Sequence, residues 1–388
     1  MSVRNKHVLM VTDLFPSEEK PYYCVFLRQL FDSLEHLGNK VSILMPDASL
    51  PDGEIVHSSR VGFDVVQVGQ TGSLFSSIAG RSSKGFLMSV EHVLGNILPD
   101  VIDIHFGATS VCKAVIIAAK KRRIPTIMHY HGLNVFRDFY VAHPILERIL
   151  ERHKVWIADN SDGIVGVSEK IRQILGTKSS NKKIYTVYNG VDTMHFFPAN
   201  GKNNAIFTII CVANLIPIKG HEYLLHAVHQ VCHVHGQPLK VRIIGCGPEK
   251  TRLESLTREL GLENTVEFLG ARNYDVVAQE MREADFFVMP SYFEALGCVY
   301  LEAMASGVAV LGVNNCGIDE LIVDKENGYL VDPQNVEQIT DRILYAIENP
   351  EQHARIAQSG CKTVHEGFLW SHAAAALDRV YNELILGG

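Results

Sequence analysis

Long apolar runs are absent from this chain of 388 residues. The longest of them, such as AVIIAA at residues 114–119, fall far short of the roughly 20 apolar residues that a membrane-spanning helix needs. The segment that starts at Lys6 runs directly into the strand-like sequence HVLMVT, without an apolar stretch that ends in a small-residue cleavage site. We therefore expect neither a transmembrane helix nor a secretory signal.

Cysteines at metal-binding or redox spacing are also lacking. The chain has eight cysteines, none of them in a CxxC arrangement, and most lie in apolar segments. This distribution is typical of buried, reduced thiols in a reducing compartment. We expect a cytoplasmic protein.

An excess of positive charge is absent as well, because the formal net charge is −7. With neither interleaved aromatic and basic residues nor zinc-finger spacing, the chain is not expected to bind nucleic acid. Basic residues are nevertheless concentrated in the first half, in KKRR at residues 120–123 and at Arg148, Arg152 and Lys154. Two interpretations are open. These cations complement helix dipoles and face solvent, or they form a surface that meets anionic lipid headgroups at the inner face of a membrane.

The chain does have a regular alternation of buried-strand and helix patterns. Such alternation predicts parallel sheets that are covered by helices on both faces. Because the pattern starts again after residue 198, we expect an α/β protein with two facing Rossmann-like, doubly wound domains and a ligand cleft between them. The first domain is predicted at residues 1–198 and the second at residues 199–366. The predicted strands are residues 7–12, 40–46, 101–106, 125–131, 163–168 and 183–190, and then 205–215, 239–248, 265–271, 284–291 and 308–314.

Candidate binding residues follow the strands of the second domain. Lys219 lies after the first of these strands, at the start of a helical segment, where a lysine is unfavourable unless an anion such as phosphate shares the place. A solvated surface lysine is the alternative for Lys219 alone. Gly245 and Gly247 bracket a tight turn after the next strand, which is a weak signal because such turns need glycine in any case.

Two glutamates, Glu294 and Glu302, lie in the sequence SYFEALGCVYLEAMASG at residues 291–307. Glu294 falls in the loop after a strand, and Glu302 falls in the second turn of the helix that we predict at residues 297–306. The run around Glu302 is too apolar for a solvated face, so this carboxylate needs partners such as sugar or ribose hydroxyls. The alternative is that Glu294 complements a helix N-terminus and Glu302 lies on the surface.

Together these motifs resemble glycosyltransferase family 4. The resemblance spans nearly the whole chain, and it implies the GT-B fold and transfer of a sugar from a nucleotide donor with retention at the anomeric carbon. It also implies that a C-terminal helix, residues 367–388, crosses back to the first domain. The segments that carry it are the glutamate pair, ANLIPIKG around Lys219, MHYHGLNVF around His131, VGVSEKIRQIL, VYNGVDTMHFFP and FLWSHAAAALDRVYNELI.

The resemblance implies a role for each site residue. Glu294 contacts the donor sugar, and Glu302 grips the ribose. Lys219 stabilises charge on the leaving diphosphate, and His131 approaches the sugar from the first domain. The implied catalytic residues are therefore Glu294, Lys219 and His131. Donor binding is implied for a larger set that includes backbone amides at the helix start: Asn214, Gly245, Gly247, Ala295, Leu296, Gly297 and Glu302.

The chain departs from the family pattern at three positions. Asn214 stands where many members have arginine, Ala295 where a glycine often follows the first glutamate, and Cys24 where glycine is common. The family scheme needs no divalent metal, and no Asp-x-Asp sequence occurs in the chain. We therefore expect no metal site for transfer and no cofactor, with the nucleotide sugar as co-substrate.

Histidines are numerous, 18 in all. His229 and His233 are four residues apart, a spacing that can bind zinc from one helix face. Because no cysteine or acid lies at ligand spacing, we interpret them as part of a solvated helical face.

The sequence thus predicts a retaining, metal-independent hexosyltransferase. Its donor is expected to be a UDP-sugar, its acceptor a carbohydrate or a lipid-linked molecule, and its setting the assembly of surface polysaccharides or glycoconjugates. Two alternatives remain open. One is a GT-B nucleotide-sugar epimerase, although epimerases lack the glutamate pair and the lysine loop. The other is an inactive, nucleotide-sugar-binding partner subunit, which Asn214 and Ala295 favour.

Overall fold

A computed structural model describes residues 5–17, 24–70, 82–106, 108–132, 144–199, 201 and 205–387. The contacts between residues divide the chain into two compact units. The first comprises residues 1–188 and 370–388, and the second comprises residues 189–369. Across the described ranges, none of the helices combines the length and the apolar character needed to cross a membrane.

An eight-stranded sheet forms the first unit. Its strands are β1 His7–Val11, β2 Lys40–Asp47, β3 Ile55–Arg60, β4 Phe63–Gly69, β5 Val101–Ile104, β6 Thr126–Tyr130, β7 Gly163–Gly166 and β8 Ile184–Thr186. Their order is β3-β4-β2-β1-β5-β6-β7-β8. All neighbours pair in parallel except β3 and β4, which are antiparallel. The helices are α1 Val25–His36, α2 Lys84–Ile97, α3 Thr109–Arg122, α4 Pro144–Asn160, α5 Glu169–Lys178 and, at the C-terminus, α12 Trp370–Leu386.

The second unit repeats the architecture with a six-stranded, fully parallel sheet. Its strands are β9 Phe207–Val212, β10 Leu239–Ile244, β11 Val266–Gly270, β12 Phe286–Val288, β13 Ala309–Val313 and β14 Tyr329–Val331, in the order β11-β10-β9-β12-β13-β14. Its helices are α6 His221–His229, α7 Lys250–Glu259, α8 Tyr274–Glu283, α9 Cys298–Ala305, α10 Val336–Glu348 and α11 Pro350–Gly367. Two α/β units with parallel sheets confirm the predicted fold class.

Apolar side chains cover both faces of the first sheet. On one face, α1 and α12 bury Leu30, Leu34, Leu377 and Tyr381 against the strands, and on the other face α2 and α3 bury a second cluster. Each fully buried side chain of this size contributes about 1.5–3 kcal/mol through removal of apolar surface from water. The two helix layers hold the strands in place, and polar side chains lie at the carboxyl ends of these strands.

The boundary between the units lies after Tyr188 rather than at Pro198, where the sequence predicted it. The intervening segment packs on the second unit. Arg282 donates a hydrogen bond of 2.7 Å to the carbonyl of His195, and the ring of Phe196 lies edge-on to Tyr274 at 4.9 Å. At the other end, the second unit extends through Leu369, beyond the predicted residue 366.

Candidate active site

An ion pair between Lys219 and Glu294 occupies the carboxyl ends of two adjacent strands of the second unit. Lys219 ends a short 3₁₀ turn, Pro217–Lys219, which follows β9, and Glu294 lies in the loop between β12 and α9. The ammonium group contacts the Glu294 Oε2 atom directly. Only 18% of the lysine side chain and 14% of the glutamate side chain are exposed. The fold therefore brings two predicted catalytic residues into contact.

Backbone contacts hold the Lys219 loop against the Glu294 loop. The Ser291 hydroxyl and the Tyr292 amide both donate to the Ile218 carbonyl, at 3.0 and 3.1 Å. Gly220 has φ +74°, and a Cβ atom at this position would lie 2.2 Å from the Pro290 carbonyl oxygen. Glycine is therefore required for the close approach that places Lys219 beside Glu294.

Gly245 and Gly247 allow a similar approach between the loops after β9 and β10. A Cβ atom at Gly245 would lie 1.9 Å from the Ala213 carbonyl oxygen, and one at Gly247 would lie 2.4 Å from the Leu215 carbonyl oxygen. Asn214 is exposed in the same β9 loop. The predicted glycines thus shape the loop that carries Asn214.

The start of helix α9 lies next to Glu294 and has no side-chain cap. Gly297, the N-cap residue, has φ +80° and supplies no side-chain cap. Ala295 and Leu296 are buried before it, and the Ala295 amide lies 3.3 Å from the Glu294 Oε1 atom. Because the first amides of a helix lack partners within the helix and carry partial positive charge, this end of α9 favours an anion.

Glu302 lies on α9, one turn beyond Cys298. Removal of its carboxyl from water raises the pKa of Glu302 to about 7. Among the residues that the structure describes, Glu302 has neither a hydrogen-bond nor an ion-pair partner. Burial, followed by the charges of Glu302 and Glu294, raises the pKa of the Cys298 thiol to about 12. Both glutamates of the motif therefore flank the first turn of α9.

His221 was not predicted from the sequence, yet it is the first residue of α6 and follows the lysine loop directly. It is 2% exposed, and neither ring nitrogen has a hydrogen-bond partner within the described part of the chain. Burial, with a smaller effect of the Lys219 charge, lowers the pKa of His221 to about 4. A neutral imidazole therefore lies beside the Lys219 loop. The sequence signal available for it was a histidine immediately after the Lys-Gly turn.

His131 lies in the first unit, just after β6. Its ring stacks on His129 with a centroid distance of 4.4 Å and an interplanar angle of 9°. Burial, together with the neighbouring His129 and His105, holds the pKa of His131 well below its usual value. The structure thus places a neutral His131 within a cluster of histidines rather than on an isolated loop.

The structure also bears on the histidine pair and on Cys24, which were singled out from the sequence. His229 and His233 contact the backbone carbonyls of Leu260 and Gly261, at 2.9 and 3.2 Å. His233 is exposed and His229 is part-buried, so the helical face that we expected to be solvated is only partly solvated. Cys24, which stands where the family commonly has glycine, is the N-cap of α1 and has φ 50°. Glycine adopts this left-handed conformation without the steric cost that other residues incur.

Comparisons with known proteins identify the family. The model for "Glycosyltransferase Family 4" matches residues 25–195, and the model for "Glycosyl transferases group 1" matches residues 192–363. N-acetyl-alpha-D-glucosaminyl L-malate synthase of Bacillus anthracis is 24% identical, over 74% of this chain and 75% of its own length.

Solved structures share the fold over almost the whole chain. Sucrose-phosphate synthase from Thermosynechococcus elongatus superposes with a TM-score of 0.77 at 18% identity, covering 99% of this chain and 100% of that one. Anabaena Alr3699/HepE in complex with UDP-glucose gives a TM-score of 0.73 at 17% identity, with coverage of 99% and 100%. With both family models matched in succession and a GT-B fold, the chain belongs to glycosyltransferase family 4.

Proposed function

We propose that this glycosyltransferase moves a sugar from a UDP-sugar to a carbohydrate or lipid-linked acceptor, with retention of anomeric configuration and without a divalent metal. The observation that carries the proposal is the contact between Lys219 and Glu294 at the uncapped start of α9. Anabaena HepE, which shares the fold, was solved with UDP-glucose, and this supports UDP as the nucleotide.

The site places hydrogen-bond donors where a diphosphate is expected. An ammonium group has three donors, so Lys219 can keep its contact with Glu294 and also donate to a phosphate oxygen. The first amides of α9 add fixed partial positive charge. Such preorganised donors stabilise negative charge as it develops on the leaving group, and they do so without a metal ion.

The remaining residues fit the other parts of a nucleotide sugar. Glu294, held by Lys219, accepts hydrogen bonds from the hydroxyls of the donor sugar. Glu302, which has no partner among the described residues, accepts hydrogen bonds from the ribose hydroxyls, which satisfies a carboxylate that is otherwise poorly hydrated. The resemblance assigns His131 to the donor sugar as well. Retention then follows from attack on the same face that the diphosphate leaves, with the departing phosphate accepting the acceptor proton.

A screen of sugar donors in the presence of a metal chelator tests this proposal. UDP-, GDP- and ADP-sugars are added to chelator-treated protein, and a ligand that binds the folded state raises the melting temperature. We expect one UDP-sugar to stabilise the wild type, and we expect NMR spectra of the transfer product to show the donor's anomeric configuration. An inverted product, or transfer only after a divalent metal is added, contradicts the proposal.

Two outcomes of the screen separate the alternatives. Binding of a UDP-sugar without transfer to any acceptor favours an inactive donor-binding subunit. Conversion of the donor to an epimer favours an epimerase.

We also propose reversible contact with anionic membranes through α4. Arg148 and Arg152 are exposed on this helix, and they border a surface depression together with Lys178. Co-sedimentation with phosphatidylglycerol vesicles should be lost in Arg148→Ala/Arg152→Ala and at high salt. Arg172→Ala serves as the control because Arg172 is already paired with Glu169. Equal sedimentation of wild type and double variant contradicts the contact.

A further inference from the structure

The parallel register of β5 and β6 brings three histidines to one face of the first sheet. Asp103 of β5 lies opposite Ile127 of β6. Side chains two residues apart in a strand point to the same face. His105 lies two residues after Asp103, and His129 and His131 lie two and four residues after Ile127. All three histidines are therefore expected on the same face.

The three imidazole rings are in mutual contact. Centroid distances are 4.7 Å between His105 and His129, 4.4 Å between His129 and His131, and 5.1 Å between His105 and His131. The His105 Nδ1 atom is 2.8 Å from the His131 Nε2 atom. One ring nitrogen of each histidine lies within 4.8 Å of the other two. Tetrahedral zinc, with Zn–N bonds of about 2.0–2.1 Å, needs ligand nitrogens about 3.3 Å apart. Metal binding therefore requires the rings to rotate out of their stacked arrangement, in which His129 and His131 are 9° from parallel.

Asp103 lies behind the histidines and orients two of them. Its Oδ2 atom is 3.5 Å from the Nε2 atom of His105 and 3.8 Å from the Nδ1 atom of His129. The Tyr381 hydroxyl donates a hydrogen bond of 2.7 Å to the same oxygen. A carboxylate in this position favours protons on the two facing nitrogens. It leaves the lone pairs on the opposite nitrogens, the His105 Nδ1 and His129 Nε2 atoms, as in carboxylate–histidine–metal arrangements.

Hydrogen bonding within the described part of the chain does not satisfy this cluster. Both nitrogens of His129, the Nδ1 atom of His131, the Nε2 atom of His105 and the Oδ1 atom of Asp103 are buried without a hydrogen-bond partner. His105 and His129 are 2% and 1% exposed, and Asp103 is 0% exposed. Native proteins rarely leave so many buried polar atoms unpaired in one place. A cation bound by the three histidines satisfies part of this set, including the Nε2 atom of His129.

We propose that His105, His129 and His131 bind a divalent transition metal ion, for which Zn²⁺ is the best match. Three imidazole ligands suit zinc, whereas Mg²⁺ and Ca²⁺ require oxygen ligands. The three histidines line a cavity of about 340 Å³ together with Phe106, Gly132 and Lys154. This cavity gives the ion a route to the cluster. The cluster lies in the first unit, whereas Lys219 lies in the second.

Metal binding has a consequence for catalysis that rests on the proposed function. An ion on the His131 nitrogen occupies the group that is assigned to the donor sugar. Zn²⁺ therefore inhibits sugar transfer, although transfer itself needs no metal. Metal binding by the cluster does not depend on this consequence.

Calorimetric titration of ZnCl₂ into untagged, chelator-stripped full-length protein tests the site. We expect one equivalent of Zn²⁺ to bind and MgCl₂ to give no heat. His105→Asn and His129→Asn should each weaken zinc binding by at least about 10-fold, the smallest loss that changes around metal sites usually cause. The double variant His229→Ala/His233→Ala is the control, because it removes the other close histidine pair but leaves the cluster intact.

A spectroscopic measurement on the wild type covers the case in which a histidine variant fails to fold. Co²⁺ in a four-coordinate, nitrogen-ligated site gives strong visible absorption without a sulfur charge-transfer band. Absence of this spectrum, absence of stoichiometric zinc binding, or equal zinc affinity in folded histidine variants overturns the proposal.

An activity measurement separates the two proposals. Zn²⁺ should inhibit transfer by the wild type and should inhibit the His229→Ala/His233→Ala control equally. If zinc binds but no sugar donor is ever used, the metal site stands and the proposed function fails. If sugar is transferred but no zinc binds, the proposed function stands and the metal site fails.

Discussion

Lys219 and Glu294, which are 75 positions apart in sequence, form a largely buried ion pair in the second unit. Motif resemblance pointed to both residues, but their contact depends on the glycine-mediated approach of two loops. A lysine at a helix start repels the helix dipole, and a part-buried carboxylate is poorly hydrated. Each residue therefore compensates an unfavourable feature of the other while both remain available to a ligand.

The raised pKa of Glu302 predicts that the stability of the folded protein depends on pH. Its pKa is about 7 in the folded state, above the ordinary value of 4.5. Between these values the folded state binds more protons than the unfolded chain, so stability declines as pH rises from about 4.5 to about 7. We expect Glu302→Gln, which stays neutral, to flatten this decline. Melting temperatures of both proteins across this range provide the measurement, and parallel curves contradict the assigned burial of the carboxyl.

Some residues of the site were missed because their significance depends on burial and not on sequence spacing. Asp103 lies within the apolar run VIDIHF, which predicts only a strand. Its contacts with His105, His129 and Tyr381 require the register of two strands and the return of the last helix. His221 likewise gains its lowered pKa from packing that a single sequence does not display.

The C-terminal helix α12 is held to the first unit by a buried polar contact in addition to its apolar face. The Asp378 Oδ1 atom lies 2.9 Å from the Lys6 ammonium, and the Asn39 side chain donates to it at 2.8 Å. The Lys6 and Asp378 side chains are 3% and 12% exposed. Removal of Asp378 takes an ion-pair partner from the buried Lys6 ammonium, and breaking a buried pair in this way is strongly destabilising.

We therefore expect Asp378→Ala to lower the free energy of unfolding by about 3–5 kcal/mol. Glu383→Ala is the matched control on the same helix. Glu383 accepts a hydrogen bond from Tyr185 at the surface, and its loss should cost less than about 1 kcal/mol. Urea unfolding of the three proteins measures the difference. Equal losses in the two variants argue against a special role for Asp378.

Strand prediction found most strands, including β8 and β11 at sheet edges, but missed β3, β4 and β14. The central strands read as continuous apolar runs, which are typical of parallel sheets. β3, with the sequence IVHSSR, is an edge strand that pairs only with β4, and it alternates exposed and part-buried residues. Because β3 lacks an apolar run, the antiparallel hairpin that it forms with β4 gave no comparable signal.

At the scale of the whole molecule, the repeated strand–helix pattern was enough to predict two α/β units. The position of the boundary between them was harder to predict. The segment 189–198 has the turn-rich composition of a linker, yet Phe196 is fully buried and stacks edge-on against Tyr274. Composition indicates where a chain can bend, whereas packing decides to which unit the bend belongs. The two family models meet at residues 192–195, in this same segment.

One titration tests most directly the proposal that the second unit holds a nucleotide-sugar site that works without metal. UDP is titrated in the presence of a chelator into the wild type, Lys219→Met and the control Lys250→Met, and the heat of binding is measured by calorimetry. Lys250 serves as the control because its side chain is 52% exposed. A charge-assisted hydrogen bond contributes about 1.5–3 kcal/mol. The account therefore predicts stoichiometric binding that weakens by roughly 10- to 100-fold in Lys219→Met and is unchanged in Lys250→Met. Absence of binding to the wild type, or equal affinity in both variants, would contradict it.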